Sequence, residues 1–208
     1  SSTLAPTSAQ GALKQARTAR DGGRLADAEI YFKQALQADS RNAAIHEEFA
    51  ELYEAMAKDA PADRRDALKR EWADHLVTAV KLDKNLKGPR LRLLQEAMAD
   101  DVASDAVYWG REVADIDPDN AEAAFVLAFK ELETAAPNLA EVRKQLDRLN
   151  AAGAPEVRRL LIQARLAAAA NDDASRGDRP RTRRRPRRGR RLDRYDGQAP
   201  AGLARPSA

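Results

Sequence analysis

The spacing of apolar residues is the feature of this 208-residue sequence that most restricts its fold. Between residues 9 and 170, apolar side chains recur at the three- and four-residue intervals of an α-helix, almost without interruption. No segment alternates Val, Ile, Thr or aromatic residues between turn signals, as a half-buried strand does. The pattern therefore predicts an all-helical chain, preceded by a flexible lead-in over 1–8.

Turn signals divide the helical span into short elements. Gly ends helices because it adopts the left-handed conformation at low cost, and Pro fits a first turn because its missing N–H is not needed there. Breaks of this kind fall at 21–23, 39–42, 60–61, 87–89, 100–101, 117–120, 136–138 and 153–155. They predict about nine helices, each too short to be stable alone. Each helix must bury an apolar stripe against its neighbours, so antiparallel pairs stacked in a row are expected.

Composition supports helix pairs and excludes several kinds of site. Aromatic residues make up only 5% of the chain, so the core must consist of small and aliphatic side chains at close backbone distances. The absence of Cys excludes disulfides, thiolate zinc sites and thiol nucleophiles. No stretch approaches the roughly 20 apolar residues of a membrane span.

The helical pattern repeats at about 34 residues, which indicates one helix pair stacked on the next. The predicted units are 9–42, 43–86, 87–120 and 121–154, and a helix over 155–170 is expected to cap the stack. The second unit departs from the period. Its second helix, 63–82, is displaced by an insertion of about ten residues, and Trp72 stands where the repeat has a small Ala.

Individual positions in these units resemble those of tetratricopeptide repeats. The first unit matches the family's turn and second-helix packing positions with Gly23, Ala28, Phe32, Ala35 and Leu36. Ala50 stands at the small eighth position of the second unit, and the segment 117–120 is the fullest match to the family's Asp-Pro-x-Asn turn. The chain is thus similar to a bacterial-type tetratricopeptide protein or a fragment of one. The resemblance implies a right-handed α-solenoid of antiparallel helix pairs.

The resemblance also implies a binding groove, because in this family the first helices of successive repeats line a concave surface that holds a peptide or a partner helix. The groove residues carried over by register are Arg17, Arg20, Glu47, Glu51, Glu54, Arg92, Gln95, Phe125 and Phe129. This surface is mixed, with an acidic centre that favours a basic or mixed ligand. The alternative is that the carboxylates of 47–54 form an ordinary solvated helix face, since charges at such spacing also keep helices soluble.

No residue pattern predicts catalysis, a cofactor or a metal. Asp115, Asp117 and Asp119 have the spacing of a calcium loop, but Asn120 and Val126 replace the Gly and the bidentate Glu that such a loop requires, so a turn is favoured. No carboxylate pair is marked as acid and base, and no Gly-rich loop follows a strand. We therefore predict a non-catalytic scaffold with a protein or peptide partner.

The largest and the rarest side chains are interpreted structurally. Trp72, Tyr108 and Trp109 are expected to be anchors between helices, because large aromatic residues dominate burial. His46 and His75 are the only histidines, and they lack the spacing of metal ligands and an adjacent nucleophile. They are expected to be packing or surface residues.

The end of the chain differs abruptly from the rest. Residues 1–175 carry 24 Lys and Arg against 30 Asp and Glu, whereas 176–208 carry 12 Arg against 3 Asp. The segment 171–208 is predicted to be disordered, because so little apolar surface cannot support a fold. An alternative function is nucleic-acid or anionic-surface binding through this tail, with the candidate residues Arg183, Arg184, Arg185, Arg187, Arg188, Arg190 and Arg191. A shifted reading frame in GC-rich DNA would encode a similar tail, and this origin stays open.

The sequence leaves the compartment and the oligomeric state open. It begins at Ser1 without an initiator Met, which is compatible with an upstream signal, anchor or domain. A chain without Cys tolerates oxidising and reducing environments equally. A cytoplasmic location and a periplasmic or tethered one are both retained.

Overall fold

The computed structural model describes residues 8–177, with side chains placed for 8–175. These residues form nine helices and no strand, which confirms the predicted all-helical class. The helices are α1 (Ala9–Asp21), α2 (Leu25–Ala38), α3 (Ala43–Lys58), α4 (Ala62–Leu82), α5 (Lys87–Ala99), α6 (Ala103–Ile116), α7 (Ala121–Leu132), α8 (Leu139–Ala151) and α9 (Glu156–Gly177). The predicted Arg run over 183–191 and residues 1–7 of the predicted lead-in lie outside the described part.

The helices stack as consecutive pairs. Helices α1 and α2, α3 and α4, α5 and α6, and α7 and α8 pack against each other, and each pair contacts the next through adjacent helices. Within 8–177, the one substantial contact between helices that are not consecutive joins α7 to α9. The stack is therefore open along its length and is not closed into a globule.

Two turns between pairs are built alike from Asp and Asn. Asn42 accepts N–H groups in the first turn of α3 and donates to Asp39 over 3.0 Å. Asn120 does the same at α7 and donates to Asp117 over 3.2 Å. The segment 117–120 is thus a helix-capping turn, and these bonds satisfy backbone donors that a helix leaves unpaired. The turn before α5 lacks this side-chain cap because Leu86 stands at the N-cap.

Three helices end at a residue with a left-handed backbone. Gly23, Asp101 and Gly153 have φ values of 74°, 53° and 62°. In each case the next residue donates its N–H to a carbonyl five residues earlier, at 2.9 to 3.0 Å. This arrangement closes the helix C-terminus and turns the chain into the next helix. Gly is favoured in it because a Cβ strains the left-handed conformation.

We expect Gly23→Ala to lower the free energy of unfolding by about 1 kcal/mol, because an L-residue at positive φ is strained. A Cβ at Gly23 meets no atom within 4 Å, so the loss measures backbone conformation alone. Urea denaturation followed by helical circular dichroism gives the value. Gly88→Ala is the control: Gly88 lies in the first turn of α5, and a Cβ there meets only the carboxylate end of Glu47. An equal loss in the two variants contradicts the prediction.

The largest buried side chains form an aromatic column between α2, α3 and α4. The ring centroid of Phe49 lies 5.2 Å from that of Phe32, 4.7 Å from Tyr53 and 4.4 Å from His75. Helix α1 contributes only small buried side chains to the same cluster: Ala12, Ala16 and Ala19. Two further clusters, over α5–α7 and α7–α9, are built mainly from Ala, Val, Leu and Ile. The core therefore consists of three successive clusters along the stack, and the N-terminal one is richest in aromatic residues.

Three features differ from the sequence-based expectations. Tyr108 is 55% exposed and is not an anchor, whereas Trp72 is buried and Trp109 is half-buried. Helix α9 continues seven residues past the predicted end of the capping helix, to Gly177, because no Gly or Pro interrupts it earlier. Ser8, placed in the lead-in, is the N-cap of α1 and accepts the Gly11 N–H over 3.1 Å.

Candidate binding face

The predicted groove residues lie on the first helices of the pairs, α1, α3, α5 and α7. We call their surface, together with Glu48, the first-helix face; it consists of Arg17, Arg20, Glu47, Glu48, Glu51, Glu54, Arg92, Gln95, Phe125 and Phe129. The backbones of α1, α3 and α5 make no substantial contact with one another within the described part of the chain. The helices are joined across this face by long side chains 31 to 38 residues apart in sequence, close to the spacing of one repeat.

Two ion pairs join α1 to α3. Arg17 donates two hydrogen bonds to Glu48, at 2.7 and 2.5 Å, in a bidentate arrangement. Arg20 donates to Glu51 at 3.2 Å. Both arginines are at least partly exposed, so each pair contributes little to stability. Their main effect is to fix the positions of the charged groups, because a bidentate Arg–carboxylate pair has a defined geometry.

A third ion pair joins α3 to α5. Arg92 donates to Glu54, and its guanidinium carbon lies 5.7 Å from the centre of the Trp72 ring. Trp72 belongs to α4 and is buried, so the Arg92 guanidinium packs against an aromatic ring that is fixed in the core. Trp72, which stands where the repeat has a small Ala, thus contributes to the first-helix face as well as to the core.

Glu47 is the acidic residue of the face that has no ion pair or hydrogen bond among the described residues. It is half-buried beside the first turn of α5, where its carboxylate approaches Gly88. Burial raises the pKa of Glu47, the charge of Glu51 adds to this, and Arg92 opposes it. A cation arriving beside Glu47 would therefore stabilise a carboxylate that its surroundings disfavour.

The other end of the face is aromatic. The rings of Phe125 and Phe129 on α7 lie 5.6 Å apart. Arg158 of α9 lies 4.9 Å from the Phe125 ring and donates to Glu122 over 2.6 Å. Arg165 of α9 lies 4.3 Å from the Phe129 ring. The two rings are half-buried and partly covered by guanidinium groups, which bind aromatic faces favourably.

The structure thus brings the predicted residues together as two parts, a charged part on α1, α3 and α5 and an aromatic part on α7 beside α9. Among residues 8–175, no side-chain hydrogen bond joins the two parts on this face, and Gln95 is exposed without such a bond. Sequence reasoning missed Arg158 and Arg165, and it placed Glu48 only in a solvated helix face. Opposite charges about one repeat apart are the signal that would have found the pairs, because stacked repeats bring such residues together.

Two other kinds of site have no candidate in the described part. No group of three or more His, Asp or Glu residues within it is arranged to hold a metal ion. Every helix in this part of the chain is too short or too polar to span a lipid bilayer.

Comparison with solved structures finds tetratricopeptide repeat proteins. The thermophilic TPR protein TTC0263 of Thermus thermophilus is 17% identical, with 80% of this chain and 83% of that chain covered and a TM-score of 0.47. YrrB, described as a TPR protein with an unusual peptide-binding site, is 17% identical, with 75% and 92% covered and a TM-score of 0.42. No protein-family model matches the chain, and neither does any curated protein.

Proposed function

We propose that this chain is a non-catalytic interaction scaffold that binds a segment of a partner protein across the first-helix face. The observation that carries the proposal is the set of three ion pairs between α1, α3 and α5. They hold charged groups from separate repeats in fixed positions on one surface. A surface ordered before binding loses less conformational entropy when a ligand arrives, which favours affinity.

The chemistry of the face favours a peptide with a basic residue and an apolar anchor. Glu48, Glu51 and Glu54 already have arginine partners, whereas Glu47 has none among the described residues. A Lys or Arg of the ligand would pair with Glu47 and relieve its repulsion from Glu51. Phe125 and Phe129 offer apolar surface at the other end, where a ligand side chain would displace or join the covering guanidiniums. The partner is thus expected to present a mixed segment.

Selection of a random peptide library on the full chain tests the proposal. We expect the enriched peptides to share a basic residue and an apolar residue. Fluorescence anisotropy with one such peptide should show about tenfold weaker binding for Glu47→Lys, because a like charge then faces the basic residue. Phe129→Ala should weaken binding of the same peptide by a similar factor, because the apolar anchor is lost.

The matched control is Glu71→Lys, which makes the same charge change at an exposed position of α4, a second helix. It should leave the affinity unchanged within error. Equal weakening by Glu47→Lys and Glu71→Lys would mean that net charge alone controls binding. Full affinity in both Glu47→Lys and Phe129→Ala would rule out the first-helix face as the site.

The second candidate function, binding of nucleic acid or an anionic surface, is favoured by the 12 Arg against 3 Asp in residues 176–208. Arginine contacts to phosphates release counterions, so this binding would weaken steeply with salt. Replacing the arginines between 183 and 191 with Ala in the full chain should abolish it and leave peptide binding at the first-helix face intact. If the tail variant lost peptide binding as well as binding to nucleic acid or an anionic surface, the second function would be favoured over the scaffold.

A further inference from the structure

A cavity lies between the first helices α3 and α5, and the second helix α4 forms its floor. Tyr53 and Ala57 of α3, Leu68 and Trp72 of α4, and Glu96 of α5 line it, and its volume is about 120 Å³. We call it the α3–α5 cavity. Tyr53, Leu68 and Trp72 are buried and Ala57 is half-buried, so the floor is apolar. Because Trp72 stands where the repeat has a small Ala, this floor departs from the repeat pattern.

Charged residues lie at the mouth of the cavity, and each of them is held in an ion pair. The exposed side chains of Glu54 and Lys69 are part of the lining. Glu54 is paired with Arg92 of α5. Lys69 Nζ lies 2.5 Å from a Glu96 carboxylate oxygen and 3.6 Å from one of Asp100. Since these charges already have partners, the cavity favours an apolar side chain over a charged one.

The volume of the cavity fits one aliphatic side chain. An apolar cavity of roughly 150 Å³ binds a molecule of the size of benzene. A volume of about 120 Å³ therefore accommodates the four heavy atoms of a Leu, Ile or Met side chain. Each methylene that is buried in addition strengthens binding roughly fourfold, so these side chains are favoured over Ala.

The cavity lies at a defined distance from Glu47, the carboxylate of the first-helix face without an ion pair among the described residues. Glu47 and Glu54 are seven residues apart on α3, which places them on one stripe of the helix, about 10.5 Å apart along its axis. Helix α5 runs parallel to α3, because Gly88 lies beside Glu47 and Arg92 reaches Glu54. The two helices thus form a groove with a carboxylate at one end and the cavity at the other.

This groove favours an extended ligand. An α-helix is about 10–12 Å wide with its side chains and would break the Arg92–Glu54 pair to reach the cavity. In a polyproline II segment every third side chain lies on the same edge, about 9.3 Å apart, close to the separation of Glu47 and Glu54. Side chains on one face of a β-strand are about 7 or 13 Å apart, which fits less well.

We propose that a partner segment binds in the groove between α3 and α5, with a Lys or Arg beside Glu47 and a Leu, Ile or Met in the α3–α5 cavity. The two ligand residues are three positions apart in a polyproline II segment. This inference rests on the proposed function and adds to it the type and the spacing of the recognised residues. The aliphatic anchor is separate from any contact at Phe125 and Phe129, which lie on α7.

The sequence favours a ligand from another protein over the C-terminal end of this chain. Residues 178–208 contain two large aliphatic residues, Leu192 and Leu203. The positions three residues from them are occupied by Gly, Tyr and two Pro, and none of these is basic. The Arg-rich segment therefore lacks the combination that the groove selects.

The peptides that a random library yields on the full chain test the spacing. We expect a Lys or Arg and a Leu, Ile or Met three positions apart, and replacing that aliphatic residue with Ala should weaken binding at least about tenfold. Peptides that bind without this spacing, or that tolerate the Ala replacement, would overturn the inference and leave the proposed function standing. A library that yields no binding peptide would overturn both.

Filling the cavity tests its role. Ala57→Leu should remove the preference of the wild type for the aliphatic peptide over its Ala variant. Ala67→Leu is the matched control and should keep the preference, because Ala67 is exposed and lies about 140° around α4 from Trp72. Circular dichroism checks that both variants keep their helical content. An unchanged preference in Ala57→Leu would place the aliphatic residue outside the cavity and overturn the inference.

Cysteine alkylation locates the ligand without filling the cavity, since the chain has no Cys of its own. At a peptide concentration of about ten times Kd, the thiol of the Ala57→Cys variant should react with iodoacetamide about tenfold more slowly, because only roughly one chain in ten is then free of ligand. The thiol of Ala67→Cys should react at the same rate with and without peptide. Unchanged reactivity at position 57 in the presence of bound peptide would overturn the proposed location.

Discussion

Replacing Phe49 with Ala is expected to lower the free energy of unfolding by about 3–5 kcal/mol, the usual cost of removing a fully buried aromatic ring. Phe49 is 2% exposed, and its ring contacts those of Phe32, Tyr53 and His75. It therefore joins α2, α3 and α4 at one point. The fully buried side chains that α1 contributes to this cluster are alanines, which are too short to fill the space left by the ring. The cavity persists, and its cost adds to the lost burial.

Urea denaturation followed by circular dichroism at a helical wavelength measures this loss. Phe49→Leu fills most of the same volume and should cost only about 1–2 kcal/mol, so it keeps the comparison measurable if the Ala variant does not fold. Ile30→Ala, at an exposed position of neighbouring α2, should change the free energy by no more than about 0.5 kcal/mol. A loss below about 1 kcal/mol for Phe49→Ala would mean that the aromatic column does not hold the N-terminal pairs together.

The helices could be predicted from the sequence because their ends depend on local chemistry. Asn42 and Asn120 cap α3 and α7, and Gly23 and Gly153 close α1 and α8, all through bonds within a few residues. Such signals are legible in a single sequence. The C-terminal end of α9 was placed too early, because no Gly or Pro marks an end before Gly177.

The repeat spacing indicates which helices exchange ion pairs, but the choice between neighbouring charged residues could not be predicted, because it depends on how one helix pair is positioned on the next. Glu47 and Glu48 are neighbours in an acidic run, yet Glu48 is held by Arg17 and Glu47 has no such partner among the described residues. Their sequence context is nearly the same. The difference arises from the direction in which each side chain leaves α3, toward α1 or toward α5, and that direction is set by the stacking of the repeats.

The contact between the two histidines could not be predicted from the sequence either. His46 and His75 are 29 residues apart, and the inserted residues before α4 obscure the register that brings them together. Their Nδ1 atoms are 2.9 Å apart, and His46 Nε2 lies 3.1 Å from the Ser40 carbonyl oxygen. A carbonyl only accepts, so His46 Nε2 carries the proton and donates it. With His75 neutral and protonated at Nδ1, the short contact is a hydrogen bond from His75 Nδ1–H to His46 Nδ1.

This pair makes the stability of the fold depend on pH. Burial and, to a smaller extent, the adjacent His46 together lower the pKa of His75 to about 4. The unfolded chain takes up the corresponding proton near pH 6.5. Between these two values the unfolded state binds more protons than the folded state, so the free energy of unfolding falls as the pH falls. The free energy of unfolding that depends on a neutral His75 is fully present above about pH 6.5 and is lost by about pH 4.

We expect this contribution to be about 2 kcal/mol, less than the full shift implies because His75 is only partly buried. His75→Phe keeps the ring and removes the titration, so the free energy of unfolding should fall less between pH 7 and 4 in this variant than in the wild type. Since the chain has two histidines, NMR of their ring protons follows each titration directly in the full chain. A His75 midpoint near 6.5, or equal pH dependence in the two proteins, would show that burial between α3 and α4 does not keep the His75 ring neutral.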